Sequence, residues 1–234
     1  MAGRPTLLLL PGLLCDAALW AAQVEALSDL ADCRIADLTL DDTVEAMAER
    51  AIADLPERFV VAGLSMGGYV ALAIAAMAPA RVERLALLDT SSRADTPEQT
   101  RRRRALIKMA DIGEFKGVTP RLLPLLIHPA RTKDEALTSI VMGMAERVGK
   151  NAFLRQQRAI MERPDRRPLL ARIHVPTLVL CGNEDAITPV ELSRELAASI
   201  ATSRLVTVPD CGHLSTLERP EQTSVALRRW LEAA

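Results

Sequence analysis

Histidine and aromatic side chains are scarce in this 234-residue chain, with three histidines and 3% Phe, Trp and Tyr, and each shortage narrows its chemistry. So few aromatics leave little for stacking on a nucleobase or a large aromatic ring. The four cysteines, Cys15, Cys33, Cys181 and Cys211, have no short paired spacing, so neither a zinc site nor a disulfide framework is expected. Reduced, buried thiols in a cytoplasmic protein are the expectation, with no metal and no cofactor. Charge of one sign is lacking too. Lys and Arg total 29 against 30 Asp and Glu, which argues against nucleic acid or an anionic membrane as partner and for a small neutral or apolar molecule. No run approaches the roughly 20 apolar residues of a membrane span. The apolar start from Thr6 to Trp20 resembles a signal peptide, but Pro11-Gly12 and Asp16 interrupt it, and Leu14 before Cys15 is too large for lipoprotein cleavage. Oligomeric state leaves no mark in the sequence.

What is present is alternation. Short runs rich in β-branched residues and leucine predict strands at Thr6–Leu10, Arg34–Asp37, Phe59–Ala62, Leu85–Leu88, Thr177–Cys181 and Arg204–Val208, separated by helical patterns. That order implies an α/β fold, a mostly parallel sheet of about six strands flanked by helices. Asp42 to Glu45, Thr96 to Gln99 and Thr188 to Glu191 each set a capping side chain three residues before an acid or amide, and a last helix runs from Glu221 to Glu232. From 92 to 173 the strand rhythm stops. Leucine and methionine become frequent there, with breaks at Gly113, Gly117, Pro120, Pro129, Gly149 and Pro164. This predicts a core domain of residues 1–91 and 174–234 carrying a helical cap insertion of 92–173. The cap holds more apolar residues than short helices can bury, so Leu123, Leu126 and Met142 are expected to line a substrate pocket. The run Arg101 to Arg104, near Glu98, Asp111 and Glu114, points four ways around a helix and reads as a solvated face.

The densest chemical signal is Gly63-Leu64-Ser65-Met66-Gly67-Gly68, behind the strand Phe59 to Ala62 and ahead of an alanine-rich helix from Tyr69 to Met77. A serine at the tip of a sharp strand-to-helix turn needs a strained backbone and small residues two before and two after it. Gly63 and Gly67 supply them. Such a nucleophile elbow raises the hydroxyl above the sheet and aims the first helical N–H groups at a developing oxyanion. Serine needs a base, and histidine serves best when a carboxylate orients it. His174 precedes a buried strand and His128 lies in the cap segment, whereas His213, in Pro209-Asp210-Cys211-Gly212-His213-Leu214, follows the last strand at the sheet's C-terminal edge. Asp185 follows the preceding strand, with Asp89, Glu184 and Asp210 as rivals for the acid.

With the order Ser65, Asp185, His213, the chain resembles the α/β-hydrolase fold family, in its small bacterial branch of esterases, thioesterases, enol-lactonases and C–C bond hydrolases. The elbow, the glycine-x-x-aspartate loop and the glycine-histidine loop carry the likeness. It implies a metal-free serine hydrolase acting on an ester, thioester or lactone of a small, mainly aliphatic molecule, with Ser65, Asp185 and His213 catalytic. By the same likeness the loop Leu10 to Leu14 follows the family's first parallel strand, and the backbone N–H groups of Leu13 and Met66 form the oxyanion hole. Pro11 stands where the family commonly has histidine, and the usual opening antiparallel hairpin is missing. The same triad serves C–C hydrolases, acyltransferases and cofactor-free perhydrolases, and some relatives are small-molecule receptors. Serine at the elbow argues against the branches that use aspartate there.

Overall fold

A computed structural model of the chain describes residues 3–113 and 115–233. Glu114, named beside the arginine run, lies outside them. Six strands form one sheet: β1 (Thr6–Leu10), β2 (Asp32–Ile35), β3 (Phe59–Leu64), β4 (Val82–Leu88), β5 (Thr177–Gly182) and β6 (Ser203–Val208). Their spatial order is β2-β1-β3-β4-β5-β6 and every neighbouring pair is parallel. Helices cover both faces, which is why β1, β3 and β5 read as unbroken apolar runs rather than alternating ones. Alternate residues nevertheless serve different cores. Leu7, Leu9, Val60, Ala62 and Leu64 join one apolar cluster, and Leu8, Leu10, Val61 and Phe59 the other.

The first cluster packs beneath α1 (Ala21–Leu27) and the C-terminal helix α10 (Pro220–Glu232), which follows the short α9 (Ser215–Glu218); the second packs beneath α2 (Val44–Ile52), α3 (Met66–Met77) and α8 (Val190–Ser199). Strand order reverses between β1 and β3, and at such a switch point the flanking loops leave in opposite directions and open a crevice at the strands' C-terminal ends. The loops after β1 and β3 meet there. Between β4 and β5 no strand occurs among the described residues; the chain forms α4 (Pro97–Ile112), α5 (Leu123–Leu126), α6 (Glu135–Glu162) and α7 (Arg167–Leu170). Gly149, at φ 74°, interrupts α6 with a kink.

Several local expectations shift. β2 begins two residues earlier than expected because it is a half-exposed edge strand whose apolar signal is weak. Helix α2 is capped by Thr43, whose hydroxyl accepts from Ala46 N–H, rather than by Asp42, whereas Thr96 and Gln99 make the full reciprocal capping box on α4. Thr188 does not cap α8; Pro189 stands at that position and Thr188 is used elsewhere. Helix α3 starts directly at Met66 and α10 at Pro220. Of the arginine run, Arg101, Arg102 and Arg104 are exposed, but Arg103 turns inward to Asp95 at 2.7 Å and to Gln157 at 2.9 Å, tying α4 to α6. His174 is exposed, not buried, because β5 starts three residues after it. Cys15, Cys181 and Cys211 are buried free thiols, and Cys33 is half-buried. No helix among the described residues is long and apolar enough to cross a membrane.

Candidate active site

β3 ends at Leu64 and α3 begins at Met66, leaving Ser65 alone to reverse the chain at φ 55° and ψ −115°. A non-glycine residue in that region costs about 1–3 kcal/mol and persists only where the surroundings enforce it. Here they do. Ser65 N–H donates to Leu88 O at 2.9 Å, and the Thr90 hydroxyl donates to Ser65 O at 2.7 Å. A β-carbon on Gly63 would lie 2.1 Å from Gly67 O, and one on Gly67 would lie 2.0 Å from Leu10 O, so no side chain fits at either position. Within the otherwise buried stretch from Phe59 to Ala75, Ser65 is the residue that reaches the surface.

The loops after β5 and β6 bring the partners. His213 Nε2 lies 2.8 Å from Ser65 Oγ, and its Nδ1 lies 2.8 Å from Asp185 Oδ2. A carboxylate only accepts, so the Nδ1 proton belongs to His213 and Nε2 is left to accept from the serine hydroxyl. Asp185 is saturated: Oδ1 accepts from Ile187 N–H at 2.8 Å and Thr188 N–H at 2.9 Å, and Oδ2 accepts from the Thr188 hydroxyl at 2.6 Å. Burial disfavours both ions, yet their mutual attraction and hydrogen bonds win. The Asp185 carboxyl is held below the ordinary carboxylate range and the His213 imidazolium is raised above the ordinary histidine value.

The rival acids point elsewhere. Asp89, fully buried and at φ 45°, accepts from Gly182 N–H at 2.9 Å and from the Ser215 hydroxyl. Burial, reinforced by the charge of Asp185, pushes it up to about 8. Glu184 accepts from Cys211 N–H at 2.9 Å, and Asp210 is exposed beside Arg219 at 3.9 Å. Asp89, Cys181 and Asp185 do bring one potential metal-ligand atom each within 4.8 Å of one another. Both carboxylates are already engaged by hydrogen-bond donors, and burial pushes the Cys181 thiol up. That donor set suits hydrogen bonds better than a cation.

The loop after β1 runs beside the elbow, for a β-carbon on Gly12 would lie 3.5 Å from both Leu64 O and the Ser65 Cβ. Among the described residues the N–H groups of Leu13 and Met66 meet no protein acceptor. Leu123 is buried, Leu126 and Met142 are partly buried, and all three belong to or pack on the cluster that holds Leu14 and Leu214, with Leu13 at its border. Sequence reading missed the polar supports: Thr90, Thr188, Gln156 and Glu218. Glu218 is buried, with Oε1 accepting from Gly212 N–H at 2.9 Å and Oε2 from His128 N–H at 2.7 Å, while Arg131 donates to its carbonyl. It ties the His213 loop to the helical segment. A lone polar residue in such positions carries no pattern of its own.

The alpha/beta hydrolase family model matches residues 7–226. A pimeloyl-[acyl-carrier protein] methyl ester esterase of Nitrosomonas europaea is 29% identical, over 93% of this chain and 92% of that protein. Among solved structures, a thermophilic esterase from Thermogutta terrifontis matches with a TM-score of 0.88 and 32% identity, over 98% of this chain and 90% of that one. The enol-lactonase of Burkholderia xenovorans LB400 matches with a TM-score of 0.85 and 26% identity, over 98% of this chain and 92% of that one.

Proposed function

This chain belongs to the alpha/beta hydrolase family and is an enzyme of it, and within that frame we propose that it cleaves an ester, thioester or lactone of a small, mainly aliphatic molecule through Ser65, His213 and Asp185. The observation that carries the reading is the continuous hydrogen-bond chain, 2.8 Å from Ser65 Oγ to His213 Nε2 and 2.8 Å from His213 Nδ1 to Asp185 Oδ2. A relative named as a methyl ester esterase and another as an enol-lactonase favour an oxygen ester or lactone.

In the first step Ser65 Oγ bonds to the carbonyl carbon while its proton moves to His213 Nε2. The new imidazolium is stabilised by Asp185. The carbonyl oxygen becomes an oxyanion facing the N–H groups of Leu13 and Met66, both free of protein acceptors among the described residues. Collapse breaks the carbon–oxygen bond, and the leaving alkoxide takes the proton from His213. Water then repeats the sequence on the acyl-enzyme, giving up a proton to His213 and releasing the acid as Ser65 regains its hydrogen. Residues 92–173 act as a cap over a core of residues 1–91 and 174–234, with Leu123, Leu126 and Met142 against the acyl chain. Their shared cluster with Leu14 and Leu214, which flank the loops of the site, supports that placement.

The test pairs a fluorophosphonate probe with nitrophenyl esters of increasing chain length. Wild type should label at Ser65 and turn over, and Ser65→Ala should do neither, with kcat down by at least about 10³-fold. A Ser65→Ala enzyme with substantial hydrolysis would reject the nucleophile.

A further inference from the structure

Glu218 is buried at the end of α9 and grips the chain on both sides of His213. Its Oε1 accepts from Gly212 N–H at 2.9 Å and its own N–H donates to Leu214 O at 2.9 Å, so the residues before and after the base are fastened to one residue. Its remaining groups face the helical segment. Oε2 accepts from His128 N–H at 2.7 Å and the Glu218 carbonyl accepts from Arg131, both shortly beyond α5, which carries Leu123 and Leu126. Gly212 fills the space between. A β-carbon on it would lie 2.7 Å from both Ile127 C and His128 N and 2.9 Å from Glu218 Oε1, so the loop of the base packs on the backbone after α5 with no room for a side chain.

We propose that Glu218 is a positioning residue that holds His213 against Ser65 and ties it to α5, so that the base and the wall of the acyl pocket keep one fixed separation. The inference rests on the serine hydrolase reading above and extends it to the support of the base. A carboxylate accepts at both oxygens, which is what the two backbone donors from Gly212 and His128 require; an amide would turn its NH2 against one of them. Such a conflict in a buried place displaces one of the two segments. Charge acts beside shape. Burial lowers the His213 imidazolium, while the charge and hydrogen bond of Asp185 and the nearby carboxyls of Asp89 and Glu218 raise it, and the balance lies above the ordinary histidine value. Around Glu218, burial raises the carboxyl, and the hydrogen bonds with His128, Leu214 and Gly212 and the charge of Arg131 oppose it.

The experiment uses Glu218→Gln, which keeps the size and one acceptor, and the pair His128→Pro and His128→Ala. Glu218→Gln should lower kcat on a short nitrophenyl ester by about 10- to 100-fold, the scale on which a misplaced reacting group costs rate, with KM moving by less than about threefold. The acid limb of kcat/KM should move to lower pH, since one negative neighbour of His213 is gone. A purely structural role would lower Tm and leave kcat and the limb of the folded enzyme in place. The His128 pair tests the tie to α5. Position 128 has φ −54° and follows an extended Ile127, both suited to proline, so His128→Pro keeps the backbone path while its ring replaces the N–H that Glu218 accepts. It should lower kcat by about tenfold, whereas His128→Ala, which keeps the N–H, should stay within about twofold. A folded Glu218→Gln enzyme with kcat within about twofold of wild type, or with an unmoved acid limb, overturns the proposal, as do equal losses in the two His128 variants. If Glu218→Gln does not fold, His128→Pro decides alone, and kcat within about twofold of wild type overturns the proposal. A wild type that is not labelled at Ser65 sinks the hydrolase reading and this inference with it. Normal labelling of wild type with an unaffected Glu218→Gln enzyme sinks this inference alone.

Discussion

Replacing Asp185 by Asn reverses the two hydrogen bonds at Oδ2, from His213 and from the Thr188 hydroxyl, which can rotate to accept, and leaves the rest of the geometry standing. The amide oxygen can still accept from the N–H groups of Ile187 and Thr188, which hold Oδ1 at 2.8 and 2.9 Å. The amide nitrogen takes the place of Oδ2, 2.8 Å from His213 Nδ1. It can only donate, so His213 must accept at Nδ1 and carry its proton on Nε2. The histidine then donates to Ser65 instead of accepting from it, and no base remains. The charge that stabilised the imidazolium is lost as well. A loss of about 10²- to 10⁴-fold in kcat is expected, which at 1.36 kcal/mol per decade is about 3 to 5 kcal/mol of transition-state stabilisation. Stability should suffer less, by about 1 to 2 kcal/mol for two hydrogen bonds that change direction but are both remade, or a few degrees in Tm for a chain of this size.

The assay is steady-state hydrolysis of a short nitrophenyl ester beside thermal melts of Asp185→Asn and Asp89→Asn. Asparagine at position 89 can still accept from Gly182 N–H and turn its amide toward the Ser215 hydroxyl, and Asp89 makes no hydrogen bond to His213 among the described residues, so Asp89→Asn should be mild. If Asp185→Asn kept activity within tenfold, or Asp89→Asn lost as much, the orienting acid would belong to β4 and the reasoning from hydrogen bonds would be wrong.

The pH profile of kcat/KM should show an acid limb centred above the ordinary histidine value of about 6.5, because the charge and hydrogen bond of Asp185 outweigh burial at His213. Protonated His213 cannot accept from Ser65, so activity is lost as pH falls through the raised value; a limb centred well below that value would contradict the pairing. Gly67→Ala should destabilise by about 3 kcal/mol or more and lower Tm by roughly 6–12 °C, since the new carbon would lie 2.0 Å from Leu10 O and meet backbone rather than a yielding side chain. A normal melt for that variant would show that the elbow is looser than drawn. Enlarging or shrinking Leu123, Leu126 or Met142 should shift acyl-chain preference by about 1 to 3 kcal/mol per methylene-scale change, read as kcat/KM across ester lengths; an unchanged profile in all three would place the pocket elsewhere.

Strands buried on both faces were legible because nothing polar interrupts them, and β1 was placed to the residue. The edge strand β2 slipped because only alternate side chains are half-covered, so exposed Asp32 at its start does not announce a strand and the expectation begins at Arg34. Ser65 and His213 were readable for a different reason. Each sits where a glycine is forced by close backbone approach, Gly63 and Gly67 beside the serine and Gly212 beside the histidine, and steric demand leaves a visible residue. Thr188 misled because its sequence neighbourhood satisfies a helix-cap pattern while its hydroxyl serves Asp185.

Gln156, Thr90 and Glu218 mark the limit of such reading. Each acts through the direction of a single polar group toward backbone far away in sequence: Gln156 reaches Leu14 across 142 positions and Glu218 reaches His128 across 90. No periodicity encodes that, and on a helix a glutamine or glutamate is as good a surface residue as a buried one. The strained angles offer the better guide. Leu14, Ser65 and Asp89 all hold positive φ at the C-terminal edge of the sheet, after β1, β3 and β4. Ser65 and Leu14 are held by hydrogen bonds to their own backbone, from Thr90 and to Gln156, and Asp89 by bonds to its carboxylate. Strain of that kind is retained only where the surroundings enforce it, and here the enforcing groups come from the loops of the core and from α6. The segment between β4 and β5 therefore meets the loop after β1 through Gln156 as well as through its apolar residues.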